Sequence, residues 1–213
     1  MPDHPDVAST LNNLALSLSD TNRKIEAEPL YRRALSIWEA TLGTDQPLVA
    51  QGLNNLALLL SDTNRESEAE PMHRLALRIR EASLGPDHPL VAQGLNSLAS
   101  LLSDTDREAE PLYRRALSIQ EATFGPDHPL VALSLNNLAG LLYDTNRNSE
   151  AEPMFRRALG ILIAFRVSTG HTHPNFESVK RNYSLSLKEL GNSPEQIAKT
   201  LEEIEKEIQS AYS

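Results

Sequence analysis

An internal repeat runs through most of this chain. The tripeptide Ala-Glu-Pro recurs with its proline at Pro29, Pro71, Pro111 and Pro153, at spacings of 42, 40 and 42 residues. A period of this length is typical of an array of supersecondary units, none of which buries its apolar face without a neighbour. The sequence therefore predicts a fold built by stacking similar repeats along the chain.

Each repeat contains two helical patterns, which we name its first helix and its second helix. In the first repeat they run from about residue 7 to 19 and from about residue 25 to 42, with a turn at 20–23. Their apolar stripes are Leu11, Leu14, Ala15 and Leu18, then Ala27, Tyr31, Ala34, Leu35 and Trp38. We expect Gly43, Gly85 and Gly125 to end the second helices, because glycine accepts the backbone angles of a helix end.

Composition narrows the class of protein. The 213 residues are 40% hydrophobic, contain no cysteine and carry a net charge of −9. The chain has no run of 18 apolar residues, and its N-terminus lacks the regions of a secretion signal. The negative charge disfavours binding to nucleic acid or to an anionic membrane. We therefore expect a cytoplasmic protein that has no disulfide, membrane span or nucleic-acid partner.

The residues that recur in the repeat match a known family. Ala15, Ala27, Tyr31 and Ala34 fit the tetratricopeptide signature, and the 42-residue unit containing LNNLA, AEPLYRRAL and GPDHP resembles the kinesin light chain type of that repeat. The resemblance covers residues 4 to about 190. It implies an all-α, right-handed α-solenoid of tetratricopeptide helix pairs, with about ten helices and a C-terminal capping helix.

The end of the chain departs from the repeat pattern. Residues 1–190 are expected to form four full helix pairs and a divergent fifth first-helix, in which LNNLA becomes the sequence from Arg181 to Leu185. The fourth second-helix should run about one turn longer before Gly170. Residues 191–213 are expected to form the capping helix, with Ser193 and Gln196 as a capping box around Pro194.

Two further irregularities concern the ends of repeats. The segment from Asp104 to Pro111 is two residues shorter than its counterparts, so we expect a tighter turn near Arg107 and Glu108 and an unchanged core register. The chain begins inside a copy of the Pro-Asp-His-Pro turn, which suggests part of a longer array.

The paired asparagines of LNNLA are the candidate functional residues. At 100° per residue they lie opposite the leucine stripe, so they are expected to point away from the core. In the tetratricopeptide arrangement that the resemblance implies, this side of each first helix lines a concave groove. The predicted peptide-binding residues are Asn12, Asn13, Gln51, Asn54, Asn55, Gln93, Asn96, Asn136, Asn137 and Asn182.

A carboxamide carries two donors and one acceptor, so it can bind a peptide backbone whatever the peptide's side chains. Apolar contacts are expected from Leu16, Leu58, Leu133 and Tyr143. Two alternatives remain for the asparagines: they solvate an exposed surface, or they bond one another between adjacent first helices.

Charge in the predicted groove bears on the kind of ligand. Chaperone adaptors of the resembled family hold a terminal carboxylate with a lysine one turn before the groove asparagine, and no lysine stands there in this chain. The recurring Asp20, Asp62, Asp104 and Asp144 would make one edge acidic and disfavour acidic ligands, unless they serve the turns that follow them. The arginine pairs, such as Arg32-Arg33, are expected to form salt bridges with glutamates four residues earlier.

We therefore expect a protein–protein interaction scaffold that binds peptide segments in the groove. The alternative is a structural spacer, or an oligomerisation or sensor array of a larger protein. No catalytic motif is recognisable, and no cofactor or metal is expected. The histidines before prolines are read as turn residues, and His73 as a core residue in the place of Tyr31.

Overall fold

The computed structural model describes residues 4–103 and 106–211, apart from the side chains of residues 106 and 107. Within those ranges the chain forms ten helices and no strand. The helices are α1 Pro5–Asp20, α2 Lys24–Leu42, α3 Pro47–Ser61, α4 Glu66–Leu84, α5 Pro89–Leu101, α6 Asp106–Phe124, α7 Pro129–Asp144, α8 Asn148–Thr169, α9 Phe176–Glu189 and α10 Pro194–Ala211. The expected all-α fold is confirmed. The division into an array of residues 1–190 and a cap of residues 191–213 stays a prediction.

The helices belong to two compact units, Met1–Leu101 and Leu102–Ser213, which we name the N-terminal and C-terminal units. In the N-terminal unit, α1 packs on α2 and α3 on α4, and each second helix also packs on the first helix of the next repeat. In the C-terminal unit, α7 packs in the same way between α6 and α8, and α8 packs on α9. Within each unit, apolar surface of one repeat is thus buried against the next repeat.

The predicted stripes form the core with one exception. Ala15, Ala27 and Ala34 are fully buried, and Tyr31 and Trp38 fill the space around them. Leu14, however, is 50% exposed, so its assignment to the core was wrong. Its counterparts Leu56, Leu98 and Leu138 are all buried. The difference arises because the described residues include no helix before α1 that could cover Leu14.

The ends of the helices explain several recurring residues. Gly43 and Gly85 follow α2 and α4 with φ of 90° and 89°, as expected. In the turn after α1, Asn22 has a φ of 61°, and the Arg23 N–H donates to the carbonyl of Leu18 at 2.8 Å. This is the hydrogen bond of a Schellman helix end, for which asparagine is the usual substitute for glycine. The Asp-Thr-Asn-Arg turn therefore serves to stop the first helix.

Three of the four histidines that precede prolines, His4, His88 and His128, are helix caps. The Nδ1 atom of His88 accepts a hydrogen bond from the Leu90 N–H at 3.1 Å, and His128 accepts from Leu130 in the same way. His4 repeats this contact at the start of α1, whereas His173 accepts from the N–H of Asn175 in the turn before α9. A side-chain acceptor here satisfies an N–H that the helix leaves without a partner, and the proline that follows has none to satisfy. The turn interpretation was right, and the capping contact is its physical reason.

The irregular repeats keep their core register. The helix α8 has 22 residues against 19 in α2 and α4, and it ends at Gly170, as expected. In the short third repeat Ala109, Tyr113 and Ala116 are buried, so the expected register is confirmed. The tighter turn was expected near Arg107 and Glu108, but both lie in α6, so that placement was wrong. Residues 104–105, which precede α6, lie outside the described ranges.

The arginine pairs form a salt-bridged surface, as expected. Arg32 pairs with Glu28 at 2.8 Å, and Arg65 of the next repeat reaches the same carboxylate at 2.9 Å. Glu110 is held similarly by Arg114 and Arg147. The fourth repeat differs in that Glu152 accepts a hydrogen bond from the Tyr183 hydroxyl at 2.6 Å. Exposed pairs of this kind contribute little stability individually, about 0 to 1 kcal/mol.

The last helix is capped and packed as the sequence suggested. The Ser193 N–H donates to Gln196 Oε1 at 2.7 Å, and the Gln196 N–H donates to Ser193 Oγ at 3.3 Å, which is a complete capping box. Ile204 is buried where α10 packs on α8 and α9. The helix therefore covers apolar surface of the last repeat.

This packing predicts the effect of truncating Ile204. The variant Ile204→Ala should lower the free energy of unfolding by about 2 to 4 kcal/mol, because a buried isoleucine leaves a cavity when it is truncated. The matched control Leu185→Ala, on α9, removes a side chain that is half exposed and should cost about 0.5 kcal/mol or less. Urea unfolding of both variants measures the difference, and equal midpoints would show that α10 does not cover the array.

His73 is a core histidine, as expected, and it lacks hydrogen-bond partners. Its side chain is 1% exposed, and both ring nitrogens are unpaired. Burial, together with the nearby charge of Arg80, lowers the pKa of His73 to about 4. Between pH 6.5 and 4 the unfolded chain therefore binds a proton that the folded chain excludes, and stability must fall as the pH falls through that window.

Replacing His73 by phenylalanine, the residue that the fourth repeat has at this place, should abolish this pH dependence. The variant His73→Phe should gain about 2 kcal/mol over the wild type between pH 7 and pH 4.5, because only the wild type has the depressed pKa. Chemical unfolding at both pH values measures the gain. The variant His171→Gln, at an exposed histidine, is the control and should follow the wild type. A gain that is the same at both pH values would refute the explanation.

Candidate functional site

The predicted binding residues lie on first helices that are neighbours within each unit. In the N-terminal unit α3 contacts both α1 and α5, and in the C-terminal unit α7 contacts α9. The structure therefore brings the predicted residues together as two sets. The first set is Asn12, Asn13, Gln51, Asn54, Asn55, Gln93 and Asn96, and the second is Asn136, Asn137 and Asn182.

The two asparagines of each pair differ in exposure. Asn12 and Asn54 are 2% and 3% exposed, so the expectation that they point away from the core was wrong. The neighbouring first helix covers them, which the periodicity of a single helix does not reveal. The second asparagine of the pair is exposed at Asn13 and Asn137 and half-buried at Asn55. The pair thus has an inner and an outer member.

Hydrogen bonds join the inner asparagine of one repeat to the outer asparagine of the next. Asn55 Nδ2 donates to Asn12 Oδ1 at 3.0 Å in the N-terminal unit. Asn182 Nδ2 donates to Asn136 Oδ1 at the same distance in the C-terminal unit. We name these contacts the asparagine ladder. Bonding between adjacent first helices was one of the alternatives left open by the sequence, and it occurs.

The ladder also corrects the alignment of the fifth repeat. Asn182 plays the part of an outer asparagine, and Tyr183 is fully buried where Leu138 is buried in α7. Leu185, expected to take the place of the last alanine of LNNLA, is 45% exposed. The counterpart of LNNLA is therefore residues 180–184, one residue earlier than the sequence comparison placed it.

The ladder leaves hydrogen-bonding capacity on the outer asparagines. Asn55 uses one N–H for Asn12, so its second N–H and its carbonyl oxygen are not consumed by that bond. Asn13 and Asn137 make no side-chain hydrogen bond to any other described residue. The predicted apolar contacts surround these amides unequally: Leu16 and Leu58 are exposed, whereas Leu133 and Tyr143 are half-buried.

A cavity of about 270 Å³ lies beside Asn55 in the N-terminal unit. It brings together four of the predicted carboxamides, those of Gln51, Asn54, Asn55 and Gln93. The rest of its lining is Pro47, Leu48, Arg80, Leu84 and Leu90. The cavity therefore combines polar amides with aliphatic walls and one cation, as small ligand sites commonly do.

Arg80 is the lining residue that the sequence analysis missed. It is 4% exposed, and its Nη1 atom donates to the carbonyl of Leu90 at 2.9 Å. No carboxylate of a described residue lies within 4 Å of this guanidinium. Burial consequently lowers the pKa of Arg80. The sequence feature that could have revealed Arg80 is its place in the repeat, where Trp38 and Gln120 occupy the apolar stripe of other second helices.

Glycine makes room for this arginine. A Cβ atom at Gly94 on α5 would lie 3.3 Å from Arg80 Nη1, closer than most real contacts. In the preceding repeat a Cβ at Gly52 would meet the ring of Trp38 at 3.0 Å. A large residue on the second helix is thus matched by a glycine on the next first helix.

The predicted acidic edge is weaker than the sequence suggested. Asp20, Asp62 and Asp144 are exposed, and Asp104 lies outside the described ranges. Asp62 pairs with Lys24, the first residue of α2, at 3.1 Å, which offsets its charge. The edge of the N-terminal unit, which has two of the four aspartates, therefore opposes acidic ligands less than two unpaired aspartates would.

The described residues show neither a metal-ligand cluster nor a membrane-spanning helix. No group of three or more histidine, aspartate or glutamate side chains there is close enough to hold a metal ion. No helix in those ranges has both the length and the apolar character needed to cross a bilayer.

Comparison with known proteins identifies the family. The tetratricopeptide repeat family profile matches residues 6–82 and 90–164. The search of curated proteins gives no match. Among solved structures, BtubC (BKLC) of P. vanneervenii is 26% identical with a TM-score of 0.77, over 98% of this chain and 82% of that one.

Two more distant structures share the fold. A protein of Podosopora anserina described as a kinesin light chain with nearly identical TPR-like repeats has a TM-score of 0.74 at 21% identity, over 99% of this chain and 98% of that one. YrrB, described as a TPR protein with an unusual peptide-binding site, has a TM-score of 0.52 at 16% identity, over 94% and 85% of the two chains. Together with the profile match and the helix pairs, these likenesses show that the chain belongs to the tetratricopeptide repeat family, with repeats of the kinesin light chain type.

Proposed function

We propose that the chain is a protein–protein interaction scaffold that binds peptide segments of a partner on the first helices of its units. Tetratricopeptide repeats generally mediate protein–protein interaction, and YrrB shows that the fold can carry a peptide-binding site. A cytoplasmic setting suits this role, and a chain without cysteine fits a reducing compartment.

The asparagine ladder is the observation that carries the proposal. The inner asparagines Asn12 and Asn136 accept these bonds and hold Asn55 and Asn182, the outer asparagines of the next repeats, in a fixed orientation. A donor that is fixed before binding loses little conformational entropy when a ligand arrives. We therefore assign the inner asparagines to positioning, and the outer asparagines to contact with the peptide backbone.

The energies show what else a ligand needs. A net hydrogen bond contributes about 0.5 to 1.5 kcal/mol, whereas micromolar affinity needs about 8 kcal/mol. Two or three outer amides therefore do not suffice by themselves. Apolar burial must supply most of the remainder, and the exposed Leu16 and Leu58, together with the aliphatic walls of the cavity, offer it in the N-terminal unit.

The spacer function remains a second candidate, and the same ladder favours it. If the asparagines exist only to bond adjacent first helices, the inner and outer members are both structural, and no ligand is needed to explain them. The two functions differ in what they predict for an outer asparagine that makes no bond inside the protein.

That difference defines the experiment. A random peptide library is panned against the whole chain, and a selected peptide is titrated by calorimetry into Asn13→Ala and Asn137→Ala. Each outer asparagine that contacts the peptide should cost about 0.5 to 1.5 kcal/mol of binding free energy when it is truncated. The melting temperature should stay the same or rise slightly, because both residues are exposed and alanine is the better helix former.

Two control variants separate binding from stability. Asn12→Ala removes the buried acceptor of Asn55, so it should lower the melting temperature as well as the affinity. Ser36→Ala, at an exposed position of α2 far along the chain from LNNLA, should change neither. Selection of no peptide, or unchanged affinity in both outer-asparagine variants, would contradict the proposal and leave the spacer function.

A further inference from the structure

We propose that the cavity of the N-terminal unit binds a side-chain carboxylate of the partner peptide, an aspartate or a glutamate, through the guanidinium of Arg80. This inference deepens the proposed function and rests on it, since the carboxylate belongs to the same peptide. The recurring aspartates suggested a groove that disfavours acidic ligands, and this inference predicts a preference for them.

The composition of the cavity selects an anion. Its lining contains one cation and four carboxamides and includes no acidic residue, although the chain as a whole has a net charge of −9. Carboxamides donate hydrogen bonds to an anion without adding charge of either sign. Leu48, Leu84 and Leu90 add aliphatic surface beside the guanidinium. An aliphatic side chain that ends in a carboxylate fits both parts of this lining.

The state of Arg80 points to the same ligand. A buried cation is costly unless an anion compensates it, and Arg80 has one hydrogen bond, to the carbonyl of Leu90, and no carboxylate partner among the described residues. A guanidinium has five N–H donors arranged in a planar fork that matches a carboxylate. The depressed pKa of Arg80 has the same origin, because burial disfavours its charge. A bound carboxylate would remove this penalty.

An unpaired acceptor belongs to a residue that lines the same cavity. Asn54 is 3% exposed, it lines the cavity beside Arg80, and its Oδ1 atom has no hydrogen-bond partner. This oxygen is itself buried, so its missing partner marks an incompletely paired wall of the cavity, and the contact available to a ligand is the guanidinium.

The equivalent positions in other repeats show that packing does not require a charge there. Trp38 fills the space beneath Gly52, and the Ser134 hydroxyl donates to Gln120 Oε1 at 2.7 Å in a buried neutral pair. Both arrangements close the gap between a second helix and the next first helix. Arg80 closes it as well but leaves a cationic group in the wall of a cavity.

The test uses a small probe that does not depend on a selected peptide. N-acetyl-glutamate amide is titrated into the whole chain while the Nε–H resonance of Arg80 is followed by NMR. N-acetyl-glutamine amide serves as the neutral match, and N-acetyl-leucine supplies a terminal carboxylate. The variant Arg80→Met removes the charge at similar length. Arg78→Met, at an exposed site on the same helix, makes the same change in net charge and is the control.

We expect the glutamate probe to shift the Arg80 resonance, and the wild type and Arg78→Met to bind it at least 10 times more tightly than Arg80→Met, the lower end of what a charged hydrogen bond contributes. Equal shifts with the glutamine probe would overturn the inference, and so would a response to N-acetyl-leucine alone, which would assign the cavity to a terminal carboxylate. Equal binding of the glutamate probe by Arg80→Met would also overturn it.

The library experiment distinguishes this failure from that of the proposed function. Peptides selected by the wild type should carry an acidic residue that Arg80→Met no longer selects, and replacing that residue by its amide should weaken binding by at least 10-fold. Peptides that depend on the outer asparagines but carry no required acid would leave the proposed function intact and refute the carboxylate site. A glutamate probe that binds at Arg80 when no peptide is selected would support the carboxylate site and refute the proposed function.

Discussion

The structure depends on one constraint, which is that each helix pair buries its apolar surface completely only when a neighbouring repeat packs against it. Leu14 on α1 is half exposed, while its counterpart Leu56 on α3 is 1% exposed, although the two residues have the same local sequence. Burial along the chain therefore comes from neighbours, as in other repeat arrays. The alanines of LNNLA and AEP and the glycines at Gly52 and Gly94 let adjacent helices approach closely enough for this burial to be complete.

The same close approach creates the asparagine ladder. Once adjacent first helices touch, a polar residue at the contact must find a partner, because an unpaired buried amide costs about 1 to 3 kcal/mol. Asn12 finds that partner in Asn55. The paired asparagines are thus a consequence of stacking and also a means of orienting an exposed amide. Arg80 shows what happens where the requirement is not met within the protein, and there the unmet charge lies in the wall of a cavity.

Much of the fold was predictable, because a repeat states each local rule several times. The stripes, the glycine helix ends, the longer α8 and the capping box of α10 follow from local sequence. The burial of Asn12 did not follow, since periodicity within one helix carries no information about its lateral neighbour. Arg80 was missed because an arginine in a helix is normally exposed, and the register of α9 was misjudged by one residue because Asn182 resembles either asparagine of the pair.

The division of labour between inner and outer asparagines is the central claim, and side-chain amide NMR tests it most directly. In asparagine-labelled protein, a selected peptide should shift the Nδ2 resonances of Asn13, Asn55 or Asn137, while those of the turn residues Asn22 and Asn146 stay in place. The Asn55 amide should already be protected from exchange without peptide, because Asn12 accepts its hydrogen bond. Rapid exchange at Asn55 in the free protein, or shifts confined to residues outside the first helices, would contradict the account.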